Sequence, residues 1–418
     1  MALELTPEER HLAADPARPD LALALRLLAE MAELLGARRL IPIASAHIDG
    51  ALYHGDGGVE FAERLSLGGG AVAVPTTLNV GILDPFHPHR GRLDPHRREM
   101  GRRMVAAYEA MGCRPTWTCA PYQAGHRPAA GTDVAWGESN AVVFCNSVLG
   151  ARTNRYGDFL DICCALTGRA PETGLHLPER RRATVAVELD RLDPGLLRTE
   201  ILYPVLGAWL GRAVGGDVAA IVGLPEDSSE DRLKALGAAA AATGEVGLFH
   251  VVGVTPEAPS LAAAGGGEPP ARTVRPTGAD LRAEADRMTT ARGDALGAVA
   301  LGSPHFSLDE FAALESALGG RSTRIPIYAC TGRHVHRELV ARGRLDELER
   351  LGVRVVVDTC VVVSPILPEP DGALMTNSGK FAHYGPAQTG YDTVFGSLED
   401  CVRSALEGRV VRDEALWR

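Results

Sequence analysis

The sequence predicts an α/β fold of several lobes, each with a mainly parallel sheet covered by helices. Short apolar runs rich in β-branched residues alternate with segments of helical period, which is typical of parallel sheets with helices on both faces. The chain has 418 residues, of which 45% are hydrophobic, and a single core stops growing at roughly 250–300 residues. We therefore expect three lobes, at residues 1–200, 201–285 and 286–418.

The elements are predicted in the following order. Thr6 and Glu9 have the spacing of a capping box for a first helix, and Leu and Ala at helical spacing over 18–37 predict a second. Buried strands are predicted in RLIPIASAHIDG, GGGAVAVPTTLNVG, EVGLFHVVGVTPEAP, DALGAVALGSPHFSLDEF and LGVRVVVDTCVVVSP. Residues 255–278 lack an apolar period and predict a surface excursion or a junction between lobes. The segment FGSLEDCVRSALEGRVV predicts a closing amphipathic helix.

Composition argues against several classes of protein. The formal net charge is -10 and the pI is about 5.7, which leaves no surplus of basic residues for nucleic acid or an anionic membrane. No apolar run approaches the ~18 residues that span a bilayer, and the N-terminus lacks a signal-peptide pattern, so a cytoplasmic protein is expected. The glycine triplets at 68–70 and 265–267 form no nucleotide-binding motif. The cysteines are expected to be buried or metal-binding rather than paired in disulfides.

Polar residues end several of the predicted strands. In parallel sheets, ligands collect at the carboxyl ends of the strands. We expect the residues at these ends to contribute to one shared site. They are Ser45, His47, Thr76, Thr77, Asn79, Ser303, His305, Thr359 and Cys360.

The densest polar stretch of the sequence runs from Pro115 to Asp161. Its Asn, Ser, Thr, Tyr and Arg residues are interleaved with small residues, which suits a ligand pocket because buried polar groups need partners. Arg152 and Arg155 lie close together in GARTNR, and guanidinium groups bind carboxylate or phosphate in two-pronged fashion. The alternative is a surface helix end at which both arginines pair with Asp158 and Asp161.

Nine sequence blocks resemble those of a known family and occur in family order over nearly the whole chain. They are SAHIDG, PTTLNVG, PTWTCAPY, ESNAVVFCNSVLGARTNRYGD, GLPEDSSEDRLKALGAA, LFHVVGVTPEAP, LGSPHFSLDE, DTCVVVSP and TNSGKFAHY. On these blocks the chain resembles the aconitase X family. The resemblance implies a dehydratase with the catalytic core of the aconitase superfamily, built from several α/β lobes.

The resemblance also implies an iron-sulfur cluster held by three cysteines, with one iron open to the substrate. The family ligand positions fall on Cys119, Ser303 and Cys360, where the middle position departs from the expected cysteine. A serine hydroxyl is a poor ligand for such a cluster. Three outcomes are open: Cys145 replaces the missing thiolate, the site shrinks to mononuclear iron, or the enzyme works without a metal. The alternative interpretation of Cys145, as a small buried hydrophobe on an apolar helix face, is the favoured one.

His47 and Lys380 are the acid-base candidates, because an imidazole or a desolvated amine exchanges protons near neutral pH. The block TNSGKFAHY resembles a substrate-binding loop of the family, which makes Ser378 a further catalytic candidate and implies that Ser378 and Lys380 hold an anionic group. For His383 and Tyr384 a structural hydrogen bond is the alternative. The expected substrate contacts are Ser45, Thr76, Thr77, Asn79, Glu138, Ser139, Asn140, Asn146, Ser147, Arg152, Thr153 and Arg155.

The implied activity is removal of water from a small hydroxylated carboxylic acid. cis-3-Hydroxy-L-proline is the favoured substrate because the composition is typical of bacterial proteins, and mevalonate 5-phosphate is the alternative. The swivelling small domain of the superfamily is not found in this sequence, so a separate small subunit is the expected partner. Two other interpretations are a relative recruited to another dehydration or isomerisation without a cluster, and a degenerate subunit that binds without turnover.

Overall fold

The computed structural model of the protein describes residues 3–413. The chain forms two compact units: the first consists of residues up to 83 together with 93–182, and the second of 84–92 together with the chain from 183 onward. The division into lobes that end at 200 and 285 stays a prediction. None of the helices between residues 3 and 413 has the apolar length that crossing a bilayer requires.

The first unit combines helices with very short strands. Its helices are α1 (Pro7–Ala13), α2 (Pro19–Leu34), α3 (Asp56–Leu67), α4 (Pro95–Ala110), α5 (Ser139–Phe144) and α6 (Leu160–Thr167). Its strands are β1 (Leu40–Pro42), β2 (Ala46–Ile48), β3 (Thr76–Leu78), β4 (Ala135–Trp136) and β5 (Arg169–Pro171). A π-helical turn, Cys145–Leu149, continues directly from α5.

The strands of the first unit form a parallel sheet in the order β3-β2-β4, and β1 pairs with β5 in antiparallel fashion. Helices cover the sheet with apolar faces, because Leu28 of α2 and Val59 and Leu65 of α3 are fully buried in the same core as Ile48 and Leu78. Strands buried in this way have no polar face to give to solvent. Any polar side chain on them is therefore enclosed by the protein.

The second unit contains two larger sheets. Its helices are α7 (Leu202–Val214), α8 (Glu230–Thr243), α9 (Leu261–Ala264), α10 (Gly278–Arg287), α11 (Leu308–Leu318), α12 (Arg333–Ala341), α13 (Leu345–Arg350), α14 (Gly379–Thr389) and α15 (Leu398–Glu407). Its strands are β6 (Val185–Glu188), β7 (Ala219–Val222), β8 (Phe249–Val251), β9 (Arg272–Val274), β10 (Leu296–Leu301), β11 (Ile327–Thr331), β12 (Val353–Val357), β13 (Ala373–Thr376) and β14 (Thr393–Phe395). The strand orders are β8-β7-β6-β9 and β12-β11-β10-β13-β14, and every pair is parallel.

Helices α7 and α8 approach each other closely. A Cβ at Gly207 of α7 would lie 2.1 Å from the carbonyl oxygen of Leu236 on α8, so this crossing requires glycine. The close approach fixes the position of α8, which carries a buried lysine described below.

Most predicted elements are confirmed. The capping box opens α1, the segment 18–37 contains α2, the five predicted runs each contain a strand, and the closing helix is α15. The surface excursion at 255–278 is corrected, because it contains α9 and the edge strand β9, which pairs with β6. Arg272 and Thr273 of β9 are exposed, so this strand carries no apolar pattern that a sequence could reveal.

Candidate functional site

The parallel sheet of the first unit aligns three polar or aromatic side chains. His47 of β2 lies opposite Thr77 of β3 and opposite Trp136 of β4. Side chains at matched positions of neighbouring strands point to the same face. The centroids of the His47 and Trp136 rings are accordingly 5.6 Å apart, and His47 Nδ1 lies 2.8 Å from Thr77 Oγ1.

A series of hydrogen bonds, which we name the histidine chain, joins Ser45, His126, Thr77 and His47. Thr77 Oγ1 lies 2.7 Å from His126 Nδ1, and His126 Nε2 lies 2.8 Å from Ser45 Oγ. Ser45 shares a face with His47 because successive side chains of an extended segment alternate. His126 reaches this face from the loop between α4 and β4, and its ring centroid is 5.0 Å from that of Trp136.

Burial keeps both imidazoles of the histidine chain neutral. Burial lowers the pKa of His47 well below its usual value, and His126 adds to the shift. Burial also lowers the pKa of His126 to about 4, with a further contribution from Arg114. His47 Nε2 is buried and has no hydrogen-bond partner among residues 3–413. An unpaired buried polar atom costs about 1–3 kcal/mol, and it is the kind of atom that contact with a ligand explains.

The residues that directly follow β2 and β3, Asp49 and Asn79, form a second polar pair. The Asn79 amide donates to the Asp49 carboxylate. The backbone amides of Asp49 and Gly50 donate to Asp161 Oδ2 at 2.6 and 3.1 Å. Asp161 is fully buried, and burial raises the pKa of this carboxyl group to about 7. Asp161 thus anchors the turn that follows β2.

Several side chains of the predicted substrate set have partners inside the protein. Thr76 Oγ1 donates to the carbonyl of Val74 at 2.9 Å. Glu138 caps α5 by accepting from the amide of Ala141 at 2.7 Å, and the Ser139 hydroxyl donates to Glu138 at 3.3 Å. The substrate contacts of these residues stay predictions.

The two asparagines of the same set hold backbone segments. Asn140 Nδ2 donates to the carbonyl of Cys119 at 3.0 Å. Asn146 accepts from the Thr153 amide at 3.0 Å, donates to the Thr153 carbonyl at 2.9 Å, and accepts from the buried Arg181 guanidinium at 2.9 Å. Ser147 is also buried. These contacts fix the backbone that leads to the two arginines of the GARTNR segment.

Arg152 and Arg155 differ from the other members of the set. Arg155 is exposed and Arg152 is half-buried. Neither guanidinium forms an ion pair with any residue in the described range, and Arg152 Nε is buried without a hydrogen-bond partner there. The alternative in which both arginines pair with Asp158 and Asp161 is therefore wrong, because Asp161 is occupied by backbone amides.

In the second unit, the turn between β10 and α11 carries Ser303 and His305. Gly302 has φ +85°, and a Cβ there would lie 2.2 Å from the carbonyl oxygen of Cys330, so the turn requires glycine. The buried His305 ring donates through Nε2 to the carbonyl of Thr359 at 3.1 Å. Burial lowers the pKa of His305 to about 3. His305 thus links the Ser303 turn to the segment that carries Cys360.

Helix α14 begins in contact with this turn. Ser378 accepts from a backbone amide in the first turn of α14 at 3.0 Å and donates to the carbonyl of Ser303. TNSGKFAHY thus runs from the end of β13 through a short connection into the first turns of α14. Lys380 is half-buried in this first turn, and the exposed His383 packs its ring edge-on against Tyr384 at 4.8 Å. Their roles stay predictions.

A buried ionic group, which we name the lysine cluster, supports the same turn. Lys234 of α8 is 1% exposed. Its Nζ lies 2.8 Å from Asp231 Oδ1, contacts Glu310 Oε2 and donates to the carbonyl of His305 at 3.2 Å. Burial acts to lower the pKa of Lys234, but the carboxylates of Glu310 and Asp231 outweigh burial and raise that pKa. Each hydrogen of the ammonium group has an acceptor.

Two of the predicted metal ligands follow a residue with unfavourable backbone angles. Trp117 has φ 47° and Asp358 has φ 64°, a region that residues with a Cβ seldom adopt. Cys119 and Cys360 each follow two positions later, and both are 8% exposed. Such conformations cluster at functional sites, so the backbone marks both segments independently of any motif.

The donor set does not fit a cluster held by three thiolates. The middle of the three predicted ligands is Ser303, whose hydroxyl is a hard donor. Burial raises the pKa of the Cys145 thiol well above its usual value, which disfavours the thiolate that would replace the missing ligand. Among residues 3–413, no group of three or more His, Cys, Asp or Glu residues could hold a metal ion. That Cys119 and Cys360 lie together stays a prediction.

Three residues in these regions, His126, Lys234 and His334, were not predicted as site residues from the sequence. His126 stands in an irregular loop, and Lys234 has the spacing of an ordinary surface residue of a helix. Both ring nitrogens of His334 are buried without a partner in the described part of the chain. His334 also contributes, after burial, to the lowered pKa of His305. None of the three directly follows a predicted strand, which is the position where the sequence indicates site residues.

Three domain models of one family match successive parts of the chain. Aconitase X first domain matches residues 2–179, Aconitase X second domain matches 183–286, and Aconitase X third domain matches 296–407. The chain belongs to the aconitase X family. The predicted family is thereby confirmed.

Two similar proteins from different organisms are both named cis-3-hydroxy-L-proline dehydratase. The chain is 44% identical over 400 residues to the cis-3-hydroxy-L-proline dehydratase of Pseudomonas aeruginosa, which covers 94% of this chain and 68% of that protein. It is 41% identical over 394 residues to the cis-3-hydroxy-L-proline dehydratase of Hypocrea jecorina, which covers 92% of this chain and 65% of that protein. The chain thus spans about two thirds of the length of these two relatives.

A third relative and a solved structure match almost end to end. The phosphomevalonate dehydratase large subunit of Methanothermobacter thermautotrophicus is 35% identical over 385 residues, covering 91% of this chain and 93% of that protein. The crystal structure of Thermococcus kodakaraensis aconitase X in its holo-form matches with a TM-score of 0.86 and 34% identity, over 96% of this chain and 100% of that chain. The predicted fold is confirmed, and the named relatives are dehydratases.

Proposed function

We propose that this chain is the catalytic large subunit of a dehydratase that removes water from cis-3-hydroxy-L-proline. The observation that carries the proposal is the 44% identity, over 94% of the chain, to a cis-3-hydroxy-L-proline dehydratase. Identity to the phosphomevalonate dehydratase large subunit is lower, at 35%. The free carboxylate of the amino acid, rather than a phosphate, is then the anion that the site must hold.

Arg152 is the residue that we propose to bind this carboxylate. Its guanidinium is half-buried and forms no ion pair with any described residue. A guanidinium binds a carboxylate through two parallel hydrogen bonds, and partial burial strengthens them. The exposed Arg155 is the natural comparison, because it stands in the same segment with more solvent around it.

The reaction needs a base for the hydrogen beside the carboxylate and a proton for the departing hydroxyl group. The carbon–hydrogen electron pair becomes the new carbon–carbon double bond as the carbon–oxygen bond breaks, and the hydroxyl leaves as water. The resulting enamine then becomes a cyclic imino acid. His47, as a neutral imidazole, and Lys380, in the first turn of α14, are the proton-transfer groups that we propose.

We also propose a small-subunit partner. The relatives that match this chain over nearly their whole length are named large subunits. The swivelling small domain of the superfamily is the expected form of the partner. A lobe that closes over the substrate excludes water and strengthens the interaction of Arg152 with the carboxylate.

Turnover by the purified chain together with its small subunit tests this proposal. We expect water loss from cis-3-hydroxy-L-proline with a higher kcat/KM than from mevalonate 5-phosphate, and none from trans-3-hydroxy-L-proline, which is the matched stereochemical control. Turnover of mevalonate 5-phosphate alone would replace the proposed substrate with the alternative. A folded complex that converts neither compound would contradict the proposed function.

The cofactor needs a separate experiment. We expect Ser303→Cys to raise the iron bound per chain after anaerobic purification, because a thiolate is a far better ligand for iron-sulfur chemistry than a hydroxyl. Ser316→Cys, on the exposed face of α11, adds the same thiol away from the predicted ligands. Equal iron in the two variants would contradict a ligand role for position 303.

A further inference from the structure

We propose that the histidine chain is a proton relay that runs from Ser45 through His126 and Thr77 to Nε2 of His47. The proposal deepens the dehydratase function proposed above and rests on it. Its basis is the juxtaposition of four side chains that are each both donor and acceptor, joined by contacts of 2.8, 2.7 and 2.8 Å.

The single hydroxyl hydrogen of Thr77 couples the two imidazoles. Thr77 Oγ1 contacts Nδ1 of both His47 and His126. A hydroxyl group donates one hydrogen bond and accepts others, so it donates to one ring and accepts from the other. The tautomer of His47 therefore sets the tautomer of His126.

Two neutral arrangements satisfy this rule. In the first, His47 carries its proton on Nε2, Thr77 donates to His47, His126 donates to Thr77, and Ser45 donates to His126. In the second, every proton has moved one place: His47 is protonated on Nδ1, and His126 is protonated on Nε2. Neither arrangement requires an imidazolium.

The first arrangement becomes the second when His47 gives up its Nε2 proton. In the proposed reaction the departing hydroxyl group takes that proton and leaves as water. Nδ1 of His47 takes the Thr77 proton, Thr77 takes the His126 proton, His126 takes the Ser45 proton, and Ser45 is reprotonated by water. Five protons move and no charge is left on the histidine chain. The hydroxide left by the water at Ser45 is neutralised by the proton that the base takes from the substrate carbon, so no further reactant is required.

The two ends of the histidine chain have the surroundings that a relay needs. Nε2 of His47 is buried, with no hydrogen-bond partner in the described range, whereas the large majority of buried polar side-chain atoms in folded proteins are paired. At the other end, Ser45 retains 7% exposure, and its partner His126 is half-buried in a loop whose neighbouring residues, Gly125 and Arg127, are exposed. Protons can therefore enter from solvent at the loop and reach a ring nitrogen that solvent does not touch.

Low basicity of both rings supports this direction of transfer. Burial lowers the pKa of His47 and of His126, so an arriving proton is passed on rather than held as a stable imidazolium. If these hydrogen bonds only held the loop against the strands, that role would explain the short distances between the four side chains. It would not explain why Nε2 of His47 has no partner in the described range.

Three variants of the full chain, each combined with the small subunit for assays, test the relay. Thr77→Val keeps the shape of the side chain and removes the hydroxyl group, whereas Thr77→Ser keeps the hydroxyl group. Thr167→Val is the matched control, because the Thr167 hydroxyl donates only within α6, to Cys163 at 2.8 Å and Cys164 at 3.4 Å. Ring-nitrogen NMR of isotope-labelled histidine reads the tautomers, and steady-state kinetics gives kcat and KM separately.

We expect Thr77→Val to shift the ring-nitrogen signals of both His47 and His126 and to lower kcat about 100-fold, the scale of one acid-base contribution, with KM unchanged. Thr77→Ser and Thr167→Val should retain the wild-type signals and most of kcat. Retention of kcat in Thr77→Val, or an unchanged His126 signal, would overturn the relay. Failure of the wild-type complex to convert either substrate would overturn the proposed function, and the NMR comparison would still decide whether Thr77 couples the rings.

Discussion

The histidine chain and the lysine cluster are both buried polar networks, but they differ in charge and in closure. In the lysine cluster, the Lys234 ammonium faces two carboxylates and a carbonyl, and each of its hydrogens has an acceptor. The histidine chain is uncharged and ends at the unpaired Nε2 of His47. The lysine cluster, in which every ammonium hydrogen has an acceptor, holds the turn that carries His305 in place. The histidine chain ends at His47 Nε2, an atom that is available for proton transfer. Burial alone therefore does not separate a network that holds a turn from one that ends at an atom able to contact a substrate.

The largest loss of stability is expected from a substitution in the lysine cluster. Lys234→Met removes the buried ammonium group and leaves the partly buried Asp231 and Glu310 carboxylates with their hydrogen bonds from Ser307 but without a cation. We expect the free energy of unfolding, measured by urea denaturation of the full chain, to fall by about 3–5 kcal/mol. Adding Glu310→Gln should recover part of this loss, because one uncompensated carboxylate is then neutral.

An exposed ion pair provides the control for this substitution. Arg342 Nη2 lies 3.1 Å from Glu338 Oε2, and both side chains are more than half exposed. Arg342→Met should change the free energy of unfolding by no more than about 0.5 kcal/mol. Equal losses in Lys234→Met and Arg342→Met would contradict a supporting role for the lysine cluster.

Substitution in the histidine chain should lower the free energy of unfolding less than substitution in the lysine cluster. Thr77→Val leaves two neutral ring nitrogens without a partner, and we expect the free energy of unfolding to fall by about 1–3 kcal/mol. Thr77→Ser should restore most of it, since the hydroxyl group returns. If Thr77→Val destabilises the protein as much as Lys234→Met, the contrast between a neutral and a charged network is wrong.

Asp161, which anchors the turn after β2, introduces a pH dependence. The pKa of its carboxyl group is raised to about 7 by burial from an ordinary value of 3.8. Between these values the folded state binds the proton and the unfolded state does not. The stabilisation is therefore complete below pH ~4 and is lost as the pH rises through ~7, with a slope of at most about 1.4 kcal/mol per pH unit.

Substitution of this carboxyl group isolates its contribution to the slope. Unfolding free energies measured at several pH values should fall less steeply for Asp161→Asn than for the wild type between pH ~4 and ~7. The exposed Asp158 is the matched control, and Asp158→Asn should keep the wild-type slope. Identical slopes in all three proteins would show that Asp161 is ionised in the fold.

The smallest effect on stability is expected at Arg152. Because its guanidinium forms no ion pair with any described residue, Arg152→Ala should change the free energy of unfolding by no more than about 0.5 kcal/mol. KM for the substrate should nevertheless rise roughly 10-fold or more, the scale of one lost charged hydrogen bond. Arg155→Ala is the comparison in the same segment, and an equal rise in KM there would contradict the choice of Arg152.

The sequence predicted well where strands lie and which polar residues follow them. It did not predict which side chains of different strands contact each other. His47 and Thr77 were selected because polar residues follow apolar runs, and that rule requires no knowledge of strand pairing. Their direct contact depends on the order β3-β2-β4 and on the register that sets His47 opposite Thr77. Neither the order nor the register can be deduced from strands of three residues.

The missed residues have a common physical reason. Lys234 lies in a helix rich in alanine, and its burial depends on the packing of α8 near Glu310 of α11. His126 becomes significant only because its loop folds over Trp136. Both depend on contacts between segments distant in sequence, whereas the motifs that carried the family assignment are local.

We expect the complex of this chain and its small subunit to eliminate water from cis-3-hydroxy-L-proline. Substrate labelled with heavy oxygen at its hydroxyl group tests this claim directly, because mass spectrometry follows the label. We predict that the label appears in water and is absent from the cyclic imino acid product. Label retained in a product of unchanged mass would show an isomerisation and would contradict the account.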